Sequence, residues 1–201
     1  EYCAEGRPAL CVPGNAANVA GTLIGGERRL RLGPEPIHHH LGVSCFADHA
    51  VVSEHSCIPI DPALPFQHAA LFGCAVMTGV GSVVNTARVR PGEAVAVLGL
   101  GGVGLNAVMA ARLAGAVQVI GLDPEPGKRA FAQSLGASAT FDAAASNVVE
   151  RVRDTIGGGV HCAIEFAGSE KALELAYALT RRGGRTVTGG LAHPDRHVSL
   201  Q

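Results

Sequence analysis

The stretch VAVLGLGGVGLNAVMAARLAGAVQVIGLD, residues 95–123, decides the fold. A Val-rich run ends in four glycines within six residues (Gly99, Gly101, Gly102 and Gly104), an Ala-rich segment follows, and a second apolar run closes on the acid Asp123. Short apolar runs bounded by glycine read as buried strands, and the longer Ala, Leu and Met segment between them reads as a helix. Working outward, the alternation continues: strand 94–99, helix 103–114, strand 117–122, helix 125–135, strand 139–141, helix 146–156, strand 160–166, helix 169–181, strand 185–190. Such a series predicts an α/β fold, a doubly wound parallel sheet with helices on both faces. Upstream, residues 1 to about 65 are rich in Gly, Pro and His, with β-like runs such as FADHAVVSEHSCIPI at 46–60, and predict a β-rich region with turns. Residues 73–87 predict a long helix joining the two halves.

Composition narrows the function. The chain has 201 residues, 47% of them hydrophobic, enough for one good core or for one domain and part of another. Lys and Arg number 16 against 17 Asp and Glu, so neither nucleic acid nor an anionic membrane is an expected partner, and a small ligand fits better. Aromatic residues make up 4% and Trp is absent, which argues against a base-stacking platform. Gly and Arg interrupt the apolar stretches short of the roughly 20 residues a membrane span takes, so no transmembrane helix is expected. The opening EYCAEGRPALC has neither the basic nor the apolar region of a secretory signal. The six cysteines, Cys3, Cys11, Cys45, Cys57, Cys74 and Cys162, read as reduced thiols or metal ligands, hence a cytoplasmic location.

Gly99, Gly101 and Gly104 fit G-x-G-x-x-G with a strand before, a helix opening inside it and a strand after. Gly99 permits the tight turn, Gly101 lets backbone approach a pyrophosphate, and Gly104 lets helix pack closely on strand. The phosphates then meet the positive end of the helix dipole. Asp123, at the tip of the second strand, is placed to accept both hydroxyls of an adenosine ribose and to repel a 2′-phosphate, so NAD rather than NADP is expected. Lys128 either reaches the same ribose or phosphate or is a solvated surface lysine. The alternative is the glycine turn of another α/β fold, such as an S-adenosylmethionine methyltransferase, with Asp123 only capping the helix after Pro124.

The segments GCAVMTGVGSVVNTARVRPGEAVAVLGLGGVG (73–104), GLD ending at Asp123, CAIEFAG (162–168) and GGRTVTGG (183–190) resemble the zinc-containing medium-chain alcohol dehydrogenases, over nearly the whole chain. The resemblance implies an NAD-binding Rossmann domain at 76–201, incomplete at its C-terminal end, preceded at 1–75 by part of a β-rich, GroES-like catalytic domain. It implies a zinc-dependent oxidoreductase moving hydride between an alcohol or aldehyde and NAD. Cys74 takes the place of a catalytic zinc ligand; a thiolate suits Zn²⁺, whose open position would bind the alcohol and lower its pKa. Thr78 and Val103 match residues packing beside the nicotinamide, and Gly102 belongs to the phosphate turn. Cys3 and Cys11 resemble the last two thiolates of the family's structural zinc pattern, C-x2-C-x2-C-x7-C. The full-length protein is expected to be a homo-oligomer.

The departures are equally informative. The first catalytic Cys and the G-H-E motif that supply further zinc ligands in the family are not found in residues 1–73. The chain stops at HPDRHVSLQ, where family members continue into a sixth strand, so it resembles a central fragment. His38, His39 and His40 are adjacent, point to alternate faces of an extended run, and read as a solvated loop rather than ligands. His49, His55 and His68 read as surface or core histidines, and Cys74 without the resemblance reads as a small buried residue. Two further functions stay open: a zinc-free relative similar to the quinone reductases, and an NAD-binding module without turnover.

Overall fold

The computed structural model describes residues 1–193 and 195–199. It divides into two compact units, Glu1–Asp61 and Pro62–Gln201. The division falls earlier than residue 75 because one helical run, Phe66–Ala87, crosses that position without a break.

Strands β1 (Arg31–Leu32) and β2 (Glu35–Pro36) belong to the first unit; in the second, β3 (Ala94–Leu98), β4 (Gln118–Leu122), β5 (Ala139–Phe141), β6 (Val160–Glu165) and β7 (Thr180–Thr188) pair in the order β5-β4-β3-β6-β7. All four pairings are parallel, as a strand-helix-strand series dictates. The strand after β3 lies on one side of it and β6 on the other, so the sheet reverses direction between β3 and β6. Ligands of doubly wound sheets bind at that crevice.

Alternate residues of the strands feed two cores. Val95, Val97, Val119, Cys162 and Ile164 face Ala107, Val108 and Ala111 of the helix Gly102–Leu113 and Val83 and Ala87 of the linking helix. Ala96, Leu98, Ile120, Leu122 and Ala163 face Val148 and Val152 of the helix Val148–Ile156 and Ala176 and Leu179 of the helix Glu170–Leu179. Helices therefore cover both faces, and every residue of β3 is buried. The small Ala side chains on the helix at 102–113 let it lie close to the Val-rich sheet.

Three expectations are corrected. The first unit is not β-rich: it holds the helix Val12–Ala20 and one hairpin of two-residue strands, Arg31–Leu32 with Glu35–Pro36. Its apolar runs find no sheet to pair with, and Pro within them removes ladder donors. Second, the linking helix is 22 residues long and apolar enough by composition to cross a membrane, contrary to the expected absence of such a run. Its interior glycines interrupt the hydropathy without interrupting the helix, and Gly79 is buried. Third, β7 starts at Thr180 rather than 185, through a register shift opposite Val160 and Cys162 with Gly183 at φ +70.

Candidate functional site

The glycine turn stands at the crevice between β3 and β6. Gly99 adopts φ +86, a Cβ there would meet the Ala167 nitrogen at 2.8 Å, and its own N–H donates to the Leu122 carbonyl at 2.9 Å. A Cβ on Gly104 would overlap the Gly99 carbonyl oxygen, so the helix can sit on the strand only with glycine there. At Gly101 a Cβ would meet nothing within 4 Å: this glycine faces open space and leaves an approach to backbone. Gly101 is the N-cap of the helix Gly102–Leu113 and supplies no side-chain cap. The first amides of that helix therefore face the approach at its positive end, the arrangement that holds an anionic phosphate.

Asp123 is buried, 5% exposed, and binds two backbone amides: Leu100 N–H donates to its Oδ2 and Glu125 N–H to its Oδ1, both at 2.9 Å. The carboxylate ties the glycine turn after β3 to the turn after β4, and Leu100, 1% exposed, anchors that turn in the core. A carboxylate has roughly four acceptor sites, so two amides leave room for hydroxyl donors. Lys128 is exposed and lies 3.7 Å from Glu125. Arg129, which the sequence reading passed over, donates to the carbonyls of Asp123 at 2.8 Å and Pro124 at 2.7 Å and braces the same turn.

The linking helix crosses the start of the helix Gly102–Leu113. A Cβ on Gly102 would touch the Ala75 Cβ at 3.7 Å, and one on Gly79 would overlap the Val103 carbonyl and come within 2.7 Å of the Asn106 Cβ. Cys74 and Thr78, each one residue before a contact position, are thereby held on the segment that crosses the glycine turn at Val103. Cys74 is exposed and lies in Phe72–Val76, a widened π-helical turn of the kind frequent at functional sites. Among the described residues no three His, Cys, Asp or Glu converge on one point. One thiolate does not make a four-coordinate centre, so Cys74 by itself does not hold zinc. Cys162 is no candidate: burial pushes its thiol up to about 11.

In the first unit Cys3 and Cys11 line one cavity of about 200 Å³ with Glu1, Tyr2, Val12 and Pro13. Gly14 N–H donates to the Cys11 Sγ at 3.4 Å, so the sulfur caps the helix Val12–Ala20. The two residues border the same cavity, and two thiolates alone fall short of a four-coordinate metal site. His39 is half-buried and accepts a hydrogen bond on Nε2 from the Arg29 amide at 3.1 Å.

Glu165 was missed in the sequence. It is the last residue of β6, 1% exposed, with both carboxylate oxygens hydrogen-bonded. The available signal was an acid closing the otherwise apolar strand VHCAIE.

Comparison with known proteins agrees with this architecture. Residues 102–201 match the family model described as zinc-binding dehydrogenase. An S-(hydroxymethyl)glutathione dehydrogenase of Synechocystis sp. is 34% identical over 203 residues, covering 100% of this chain and 55% of that protein. Its counterpart from Escherichia coli is also 34% identical, over 206 residues, with the same coverage. Among solved structures, an alcohol dehydrogenase zinc-binding domain protein from Burkholderia ambifaria superposes with TM-score 0.91 at 33% identity, over 100% of this chain and 55% of the other. Benzyl alcohol dehydrogenase from Acinetobacter calcoaceticus gives TM-score 0.79 at 25% identity, over 96% and 55%. The chain thus spans about half the length of these relatives. With its Rossmann sheet, its glycine turn and these matches, the chain belongs to the zinc-binding dehydrogenases of the alcohol dehydrogenase type.

Proposed function

We propose that the protein is an NAD-dependent oxidoreductase interconverting an alcohol and its aldehyde, with the Pro62–Gln201 unit binding the dinucleotide. The observation that carries this is the glycine turn joined through Asp123 to the end of β4 at the reversal of the sheet. NAD fits the residues present: Gly101 leaves open space, the amides at Gly102 to Gly104 receive the pyrophosphate, and Asp123 accepts the adenosine ribose hydroxyls. The buried carboxylate would repel a 2′-phosphate, which selects NAD over NADP. Bound NAD supplies the hydride acceptor, and the protein supplies orientation and charge. Thr78 and Val103, on the crossing of the linking helix and the glycine turn, bound the nicotinamide side. Lys128 stays a candidate for the ribose or phosphate edge, with Glu125 as its competitor.

Cys74 is assigned as one ligand of a catalytic zinc, and Cys3 and Cys11 as ligands of a structural one. The described residues do not complete either set. A second reading is a dinucleotide-binding module without turnover. A zinc-free reductase like the quinone reductases is disfavoured by Asp123 and Cys74. A cytoplasmic location agrees with six free cysteines, and a homo-oligomeric assembly is assigned to the full-length enzyme.

Calorimetric titration with NAD and NADP tests the reading. Binding of NAD at least about tenfold tighter than NADP is the expected result, and equal affinities would remove Asp123 from the ribose. Turnover is then assayed against S-(hydroxymethyl)glutathione and benzyl alcohol, the substrates that the relatives' names supply. Zinc content of the full-length protein, unaltered and Cys74→Ser, tests the ligand assignment; an unchanged stoichiometry would refute it.

A further inference from the structure

Glu165 is a buried carboxylate that no role above uses. Both its oxygens are held by neutral donors: Gly168 N–H to Oε1 at 2.6 Å and the Thr188 hydroxyl to Oε2 at 2.8 Å. The two donors belong to different loops, Gly168 to the turn leaving β6 and Thr188 to the end of β7. The main chain doubles the tie, because Gly189 N–H and Gly190 N–H donate to the Glu165 carbonyl at 2.8 and 3.1 Å. The loops touch backbone to backbone. A Cβ on Gly190 would overlap the Gly168 nitrogen, and one on Gly168, at φ +69, would meet the Leu191 carbonyl oxygen at 2.8 Å.

The position of this clasp gives it a role. Glu165 pairs with Leu98 across β3 and β6, the Phe166 N–H donates to the Leu98 carbonyl at 2.8 Å, and Gly99 lies against Ala167. The clasped loops therefore border the crevice on the side away from β4 and Asp123. A dinucleotide whose adenosine lies at Asp123 and whose pyrophosphate lies at Gly101 runs its other half over β6 and β7. For stability alone, an apolar residue of similar volume would avoid the desolvation cost of a buried polar side chain.

We propose that Glu165 is a positioning residue for the nicotinamide half of the cofactor, clasping the loops 166–168 and 189–191 into one fixed floor. The proposal rests on the dinucleotide reading above. Glu165→Gln keeps two hydrogen bonds, because its carbonyl accepts from Gly168 and the Thr188 hydroxyl turns to accept from its amide. Glu165→Leu and Thr188→Val remove two bonds and one bond respectively.

The test is titration of the chain and its variants with NAD and with ADP-ribose, which lacks the nicotinamide. Glu165→Gln is expected to bind both within about twofold of the unaltered chain, while Glu165→Leu loses about tenfold for NAD and keeps ADP-ribose within about twofold. Thr188→Val, whose side chain stands at the loop margin, is expected to lose about threefold for NAD alone and serves if Glu165→Leu does not fold. Amide exchange at Gly168 and Gly190 in the free protein is expected to rise in Glu165→Leu and not in Glu165→Gln. Equal losses for both ligands, or no loss for NAD, would overturn the positioning role. If the unaltered chain bound neither ligand, the dinucleotide reading itself would fail.

Discussion

Between Glu1 and Asp61 only Ala17 and Gly21 are buried, whereas beyond Pro62 every residue of β3 is. The difference does not lie in the supply of apolar side chains. Phe46, Val51, Val19 and Ile58 in the first unit are 110%, 96%, 81% and 83% exposed. It lies in whether the apolar positions recur at a period that a regular element can present to a partner. In the second unit, residues two apart in β3 fall on the same face and meet a helix stripe, so each contact reinforces the next. In the first, Pro and Gly punctuate runs too short for a sheet, and the one helix buries a single alanine.

The sharpest way to break this comparison is amide exchange. Amides of β3 are expected to exchange slower than those of residues 22–61 by a factor of roughly a thousand or more, since the former open only with the sheet. Comparable protection in both units would show that the first has a core after all. Next comes Gly104→Ala. Its Cβ would overlap the Gly99 carbonyl, and a destabilisation of about 3 kcal/mol is expected in urea unfolding, with the midpoint of the sheet transition moved and the first unit untouched. Asp123→Ala strands the Leu100 and Glu125 amides and should cost about 1–3 kcal/mol while weakening NAD about tenfold. Asp123→Asn keeps one acceptor and strands one of the two amides, so its cost in stability is expected to be smaller than that of Asp123→Ala.

The smallest effect concerns pH. Burial pushes the Glu93 carboxyl up, but the hydrogen bonds from the Arg90 amide at 3.0 Å and the Arg185 guanidinium at 2.5 Å outweigh it and hold it below 4.5. A carboxyl lowered by folding contributes fully above its unfolded value and loses that contribution as pH falls through the lowered one. Stability of the second unit is therefore expected to decline below about pH 4.5, and Glu93→Gln should remove at most about 1 kcal/mol of that decline, after solvent screening. A decline unchanged in Glu93→Gln would shift the acid sensitivity to other carboxylates.

Much of this was legible residue by residue. The strands at 94–98, 118–122, 139–141 and 160–165 lie within a residue or so of where the alternation of apolar runs puts them. The steric logic of Gly99 and Gly104 was legible too, because a tight turn into a packed helix tolerates little else. Asp123 was only half legible: its place at the strand tip follows from spacing, but its grip on Leu100 and Glu125 does not. In the first unit the apolar runs at 46–60 were legible, but they form no strand among the described residues, because a strand depends on a partner that composition does not name.

What the sequence by itself determined is the order and type of the elements in the second unit and the glycine turn between two of them, since both depend on local periodicity and on backbone freedom at single residues. Only the tertiary structure decided which distant groups meet. The crossing of Gly79 on Val103, the bridge from Asp123 across two turns, and the clasp of Glu165 on Gly168 and Thr188 all join segments of different elements or the turns beside them. A side chain's hydrogen-bond partner is set by how the layers pack, and no period in the chain records that.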